Sequence, residues 1–247
     1  MEQIAKALYV GNLQPKDIKI TVSDSNLILS PEIEQRIGEI WKEKLVESKN
    51  RGKEIFNGSS YRVNHWKLIE NILSIQLASY DFKNRLGLSV MIRQAEISPA
   101  DYNHGGCFVG ATVVTADNKY VMVELSGKSM NNNTFEILGG MAETDIEMTS
   151  DGLYLFDALH QELLEEAGIQ KSEISQEYLQ LFFRGPNADY GFHFHVETAL
   201  TEKVMIERFI NNTDVDIAAL CFFNKKEYLE KLRGGSLNKI LIASHLK

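Results

Sequence analysis

Cysteine is scarce: only Cys107 and Cys221 occur in 247 residues. Two thiols are too few for a disulfide framework or a structural zinc site, and they fit a reducing, cytoplasmic setting. Long apolar runs are missing as well. None reaches the roughly 18 to 20 residues of a membrane span, and the opening Met1-Glu2-Gln3-Ile4-Ala5-Lys6 lacks the basic-then-apolar layout of a secretory leader. No membrane partner is expected. Basic charge is also in deficit, with 26 Lys and Arg against 34 Asp and Glu and a net charge of -8. A nucleic-acid partner needs a basic footprint and is not expected. An anionic small ligand would have to be neutralised locally, by a metal or a few cations. Internal repeats and low-complexity segments are lacking. Gly234-Gly235 has no Lys-Ser or Lys-Thr after it at phosphate-loop spacing, and reads as a helix stop.

What is present is ordinary globular composition, 44% hydrophobic and 24% charged. The length suits one layered domain with a small second region. Residues 1–87 read as a strand-rich N-terminal region packed on the rest of the chain, and 88–247 as the main domain. Short strands are expected at Ala7–Val10, Ile18–Val22 and Leu27–Leu29, separated by turn residues. Ser30, with Pro31 in the first turn, caps a helix to about Ser48. Alternation from Tyr61 to Leu77 marks Tyr61, Val63, Ile72, Ile75 and Leu77 as inward positions. Ser79–Arg85 reads as a polar-aromatic loop. Cys107–Thr115 and Tyr120–Leu125 form strands joined by a short hairpin connection, and Ser126–Asn133 a polar connector.

The stretch Gly139–Ile169 carries the chemistry. A strand-like run, Thr134–Leu138, is closed by Gly139-Gly140, where a tight turn would expose backbone carbonyls. A helix is expected from Leu153 to Ala167, with Leu155, Leu159 and Leu163 inward, Ser150 or Asp151 capping its start and Gly168 left-handed at its end. Glu162, Glu165 and Glu166 stand at i, i+3 and i+4, so the three carboxylates share one face. Such a face is most often simply solvated. Here the repelling carboxylates come after a glycine pair, and hard divalent cations take oxygen ligands of this kind.

This strand, Gly-Gly and acidic helix resembles the Nudix box, which runs from Gly through Glu to Arg-Glu-apolar-x-Glu-Glu-x-Gly-apolar. Glu162, Leu163, Glu165, Glu166, Gly168 and Ile169 match its second half. Gln161 stands where the family has Arg, and the loop after Gly140 is longer than usual, leaving Glu143 and Glu147 as alternatives for the first Glu. The segments Trp41…Ile55-Phe56-Asn57-Gly58-Ser59-Ser60-Tyr61-Arg62-Val63 and Leu77-Ala78-Ser79-Tyr80-Asp81-Phe82 are similar to the UDP-glucose pyrophosphatase branch of that superfamily in animals. The resemblance implies an α/β/α sandwich with a mixed sheet. It implies metal-dependent cleavage of UDP-glucose or a related UDP-hexose to UMP and hexose 1-phosphate. Glu162, Glu165 and Glu166 would hold Mg2+ (or Mn2+), with a carbonyl of Gly139 or Gly140 completing the shell, and Glu162 orienting the water. In the family the box Arg helps orient the glutamates, a role Gln161 would have to fill differently. Another nucleotide substrate, such as ADP-ribose or a dinucleoside polyphosphate, and a non-catalytic nucleotide-binding domain are the rival readings.

A ring can stack on a base and Arg can grip a phosphate, though such aromatics are more often simply packed; the resemblance to the UDP-sugar branch is what makes Tyr80, Phe82 and Arg85 candidate substrate contacts. Asn187 joins them from the turn Gly185–Tyr190 that separates two strands, Glu177–Arg184 and Gly191–Ala199. His193 and His195 share a strand face, a spacing able to ligate a transition metal, though satisfied sheet histidines are commoner. Glu197 is a second-line base. A helix capped by Thr201 to about Asn211, a buried strand Ile217–Phe223, a helix Lys225–Leu232 capped by Asn224, and a terminal helix within Ser236–Leu246 complete the reading.

Overall fold

The computed structural model describes residues 5–25, 27–52, 55–99, 101–102, 105–126, 135–142, 151–185, 188–210 and 217–232. The expected connector 126–133 lies almost wholly outside these, as do Glu143, Glu147, Ser150, Asn187 and the C-terminal segment with Gly234-Gly235.

The chain opens with β1 (Lys6–Leu13) and β2 (Ile18–Ser23), then α1 (Pro31–Asn50), β3 (Ser59–Ile69), β4 (Ile72–Asp81) and α2 (Phe82–Arg93). Next come β5 (Cys107–Val114), β6 (Tyr120–Leu125), β7 (Phe135–Glu136), β8 (Leu138–Met141) and α3 (Leu153–Ala167). The chain continues through β9 (Ile174–Arg184), β10 (Tyr190–Thr198), α4 (Glu202–Phe209), β11 (Ile217–Phe223) and α5 (Lys225–Leu232). The architecture is mixed α/β. A large sheet runs in the order β1-β9-β10-β5-β6-β11, with β8 added to β5 and β7 to β6. A small sheet has the order β2-β4-β3.

Among the described residues, only β5 and β10 pair in parallel within the large sheet. The second edge of β5 is shared: β8 takes Phe108 to Ala111, and β6 pairs only at Val113 and Val114. One face of the large sheet is covered by α3, α4 and the small sheet. Its core joins Leu155, Leu159 and Leu163 of α3 to Val109 and Ala111 of β5, and to Ile20, Tyr61, Val63, Ile75 and Leu77 of the small sheet. Edge-to-face pairs Tyr61–Tyr154 and Trp66–Phe182 lie in this layer, an arrangement suited to the ring quadrupole. The other face carries α5 through Met122, Leu181, Tyr228 and Leu232. Helices on both faces of a mixed sheet make the expected α/β/α sandwich. On the outer side, α1 and α2 pack on each other through Ile37, Ile40, Leu88 and Met91.

Several local expectations need correction. Leu27–Leu29 forms no strand; it leads into α1, where the Ser30 hydroxyl accepts from the Ile33 amide at 3.4 Å. The alternation from Tyr61 to Leu77 is a hairpin rather than one run, turning at Glu70 and Asn71 with positive φ at both. Ser79–Arg85 is not a loop but the end of β4 and the first turn of α2. Ile217–Phe223 pairs only with β6 among the described residues and lies at the sheet edge, so Ala218 is exposed. Among the described residues, no helix is long and apolar enough to cross a membrane.

Candidate active site

The helix that carries the glutamates spans Leu153–Ala167, as its leucine spacing requires, and ends on Gly168 with φ 67°. Its start is tied to the N-terminal region: the Gly152 amide donates to the Pro15 carbonyl at 3.0 Å. Gly152 occupies the capping position, and the Asp151 carboxylate accepts from the Leu153 amide at 3.2 Å. Its end is held by Arg208 of α4, which donates to the Gly168 carbonyl at 3.1 Å and to both Glu173 oxygens at 2.7 Å. Midway, the His160 ring meets the Glu177 carboxylate of β9 at 2.7 Å.

Between these anchors the glutamate face meets β8. Gly139 and Gly140 lie inside that strand, paired with Gly110 and Val109, rather than in a turn after it. Their function is close approach. A methyl group on Gly140 would overlap the Glu162 carboxylate, and the Gly139 amide donates to Glu166 Oε2 at 2.7 Å. Two of the three predicted glutamates are therefore gathered, half-buried, against both predicted glycines. Glu165 is exposed, and its Oε1 accepts from the Gln161 amide at 2.9 Å. Gln161 thus orients a glutamate of the face by a neutral hydrogen bond.

Among the described residues, no three His, Cys, Asp or Glu side chains are gathered around a common metal position. Mg2+ needs less, commonly one or two carboxylates plus waters and substrate phosphates. The Glu162 and Glu166 carboxylates offer oxygen donors, a set better suited to Mg2+ or Mn2+ than to zinc.

A second group forms beside the start of β5. Tyr80 is buried in β4, Phe82 half-buried against Trp41 with ring centroids 6.1 Å apart, and Arg85 stands on α2. The Arg85 guanidinium lies 4.8 Å from the Phe108 ring centroid and 5.4 Å from that of Phe82. Burial takes the Tyr80 ring face out of reach of a stacking base, and its hydroxyl is buried as well. Burial, reinforced by the negative charge of Asp189, holds that hydroxyl well above its usual pKa, so it remains a neutral donor. Sequence reasoning missed Gly106, Asp189 and Arg62 as members. The Gly105-Gly106 doublet before a strand and the charged residue two positions after Asn187 were the available signals. The Gly106 amide donates to Asp189 at 2.9 Å, and Arg62, opposite Gly106, is 2% exposed. Burial lowers the pKa of Arg62.

The histidine pair of β10 is taken up separately. His193 is buried, 2.8 Å from the Thr112 hydroxyl, which is itself 2.8 Å from the Tyr228 hydroxyl. His195 stacks on Tyr178 with centroids 5.1 Å apart and lies 3.3 Å from Glu197. Both rings are tied to their own sheet neighbours rather than to a common metal position.

No family model matches the chain, and no curated protein matches it. Among solved structures, it is similar to a Nudix hydrolase from Nitrosomonas europaea, with 17% identity over 57% of this chain and 88% of that one, and a TM-score of 0.37. It is also similar to the Nudix domain of Shewanella oneidensis NrtR complexed with ADP-ribose, with 10% identity, 62% and 93% coverage, and a TM-score of 0.39. A C. elegans Ap4A hydrolase binary complex matches at 11% identity, 57% and 94% coverage, and a TM-score of 0.37. At these identities and TM-scores the functional reading has to come from the chain's own residues.

Proposed function

We propose that this chain is a Nudix-type hydrolase that cleaves, with a divalent cation, the pyrophosphate linkage of a nucleoside diphosphate joined to another group. UDP-glucose or a related UDP-hexose is the proposed substrate, with UMP and hexose 1-phosphate as products. The observation that carries this is the seating of Glu162 and Glu166 on Gly139-Gly140, because it draws like-charged carboxylates together where a helix face alone would let them splay. Mg2+ at these oxygens would polarise phosphoryl oxygens and favour ionisation of an attacking water. The chain's own part is to hold Glu166 through the Gly139 amide and to seat Glu162 of α3 against Gly140, from where it would accept the proton of that water. The new bond joins water oxygen to phosphorus, and the bridging oxygen–phosphorus bond breaks. Tyr80, Phe82 and Arg85 supply substrate contacts in this proposal.

The test is product chromatography with UDP-glucose, ADP-ribose and a dinucleoside polyphosphate, with Mg2+ and with chelator. UMP formed from UDP-glucose only, and only with metal, is expected. Glu166→Gln, which removes a proposed metal-holding carboxylate, should abolish metal-dependent turnover and leave the melting temperature nearly unchanged. Turnover of a different substrate would keep the glutamate site and discard the UDP-hexose assignment. The exposed Glu165 favours one second reading, a nucleotide-binding domain without turnover; nucleotide binding with no product under Mg2+ or Mn2+ would select it.

A further inference from the structure

We infer that the group around Gly106 — buried Tyr80, Ser60 and Arg62 with half-buried Arg85 and Asp189 — is an oxyanion-binding site that takes a phosphate group. Three side chains converge on Gly106. A Cβ built on Gly106 would lie 3.0 Å from Arg85 Cδ, 3.0 Å from Asp189 Oδ1 and 3.1 Å from the Tyr80 hydroxyl. Three side chains from α2, the segment before β10 and β4 therefore meet over one residue without a side chain. Ser60 is the cross-strand partner of Tyr80 and shares its sheet face.

The second step is the imbalance of donors and acceptors. Tyr80 is 7% exposed and Ser60 1% exposed, yet neither hydroxyl has a hydrogen-bond partner among the described residues, nor has Arg85 Nε. Buried polar atoms are nearly always partnered, and an orphan calls for an explanation such as a ligand. Asp189 does not supply the missing acceptor. Its Oδ1 already accepts from the Gly106 amide at 2.9 Å, and its Oδ2 stands 3.9 Å from Arg85, too far for a hydrogen bond. What Tyr80, Ser60 and Arg85 Nε lack is an acceptor, beside the Arg62 guanidinium, which already donates to the Asn64 side chain and the Ser25 carbonyl, each at 2.9 Å. An oxygen-rich anion supplies that acceptor. The aromatic rings of Phe108 and Phe82 near the guanidinium help fix its plane, the preorganisation that favours Arg over Lys for oxyanions.

This deepens the proposed function by assigning Tyr80 and Arg85 to an anionic group rather than to a base. It rests on that reading only for the identity of the ligand's remainder. The anion has two sources, a phosphoryl group of the nucleotide or free phosphate.

The experiment is calorimetric titration of the 247-residue chain with sodium phosphate in chelator, which removes the glutamate–metal site from the measurement, repeated with UMP present. Saturable binding is expected in the wild type and in Glu166→Gln, weakened at least 10-fold in Tyr80→Phe and Arg85→Gln. Gly106→Ala, whose methyl group fills the cradle, should weaken it similarly. Tyr80→Phe keeps the buried ring, so it carries the test if Arg85→Gln fails to fold. Loss of phosphate binding in saturating UMP would assign the site to the nucleotide's phosphoryl group; unchanged binding would assign it to free phosphate. Absence of saturable binding, or equal binding in wild type and Tyr80→Phe, overturns the site. Because turnover is not read, an inactive enzyme that binds phosphate would sink the hydrolase proposal alone.

Discussion

Two adjacent glycines separate structure from chemistry. Gly139 has φ 141°, and a Cβ there would run into the Val109 carbonyl and the Gly110 Cα, which are backbone atoms and cannot swing aside. Gly140 does not have a positive φ, and the three atoms nearest its Cβ would all be at the end of the Glu162 side chain. Gly139→Ala should therefore cost stability, lowering the melting temperature by several degrees. Gly140→Ala should fold almost normally, because a terminal carboxylate can rotate away. It should lose about 100-fold in turnover, the size of effect that a misplacement near 1 Å has on a reacting group. Melting curves and steady-state rates on the two variants check this split. Equal stability loss in both, or full activity in Gly140→Ala, would show that Glu162 does not act from its seat on β8.

At the scale of elements, α3 was readable because its signals are local. Leucines at helical spacing, three glutamates and a terminal glycine all lie within one stretch, and the helix runs from Leu153 to Ala167 as they require. The glycine pair was read as a tight turn exposing carbonyls, and its placement in a strand was not readable: β8 pairs with β5 over Phe108–Ala111, a pairing with no sequence periodicity of its own. The Gly106 group was hidden for the same reason. Its members come from β3, β4, α2 and both lead-ins to the parallel pair β5–β10, and only the fold brings them together. Nor does local sequence show what pins α3 at its end, where Arg208 grips Glu173 and the Gly168 carbonyl. The hydrogen bonds from Arg208 lower the Glu173 pKa. A carboxylate whose folded pKa is depressed contributes stability above its unfolded pKa and loses it as pH falls through the folded value. The melting-temperature gap between wild type and Arg208→Gln should therefore be present at pH 7 and shrink below about pH 4, the ordinary carboxylate range. A gap independent of pH would mean that Arg208 acts through packing alone.

At the scale of the molecule, the division into an N-terminal region and a main domain meets a shared core. Lys6–Leu13 forms an edge strand of the large sheet by pairing with β9. Leu13, Ile18, Ile20, Tyr61, Val63, Leu73, Ile75 and Leu77 belong to the same buried cluster as the inner face of α3. The boundary after residue 87 also falls within α2. A fragment 88–247 would expose the apolar faces that these side chains cover, at a cost of about 25 cal/mol for each Å² of apolar surface. It would also lose the Pro15 carbonyl that receives the Gly152 amide at the start of α3. Net stabilities of domains are only about 5–15 kcal/mol, so losing eight core side chains and a strand exceeds what the remainder can absorb. The expected result is a fragment 88–247 without a cooperative thermal transition and with rapid proteolysis throughout, while the full chain melts in one step. A cooperative melt of the fragment, with the glutamate-dependent activity retained, would show that the small sheet is an addition to a domain that folds without it. Partial retention of helical signal without cooperativity would fit the expectation, because α3 carries its own helical pattern but takes its position from both halves of the chain.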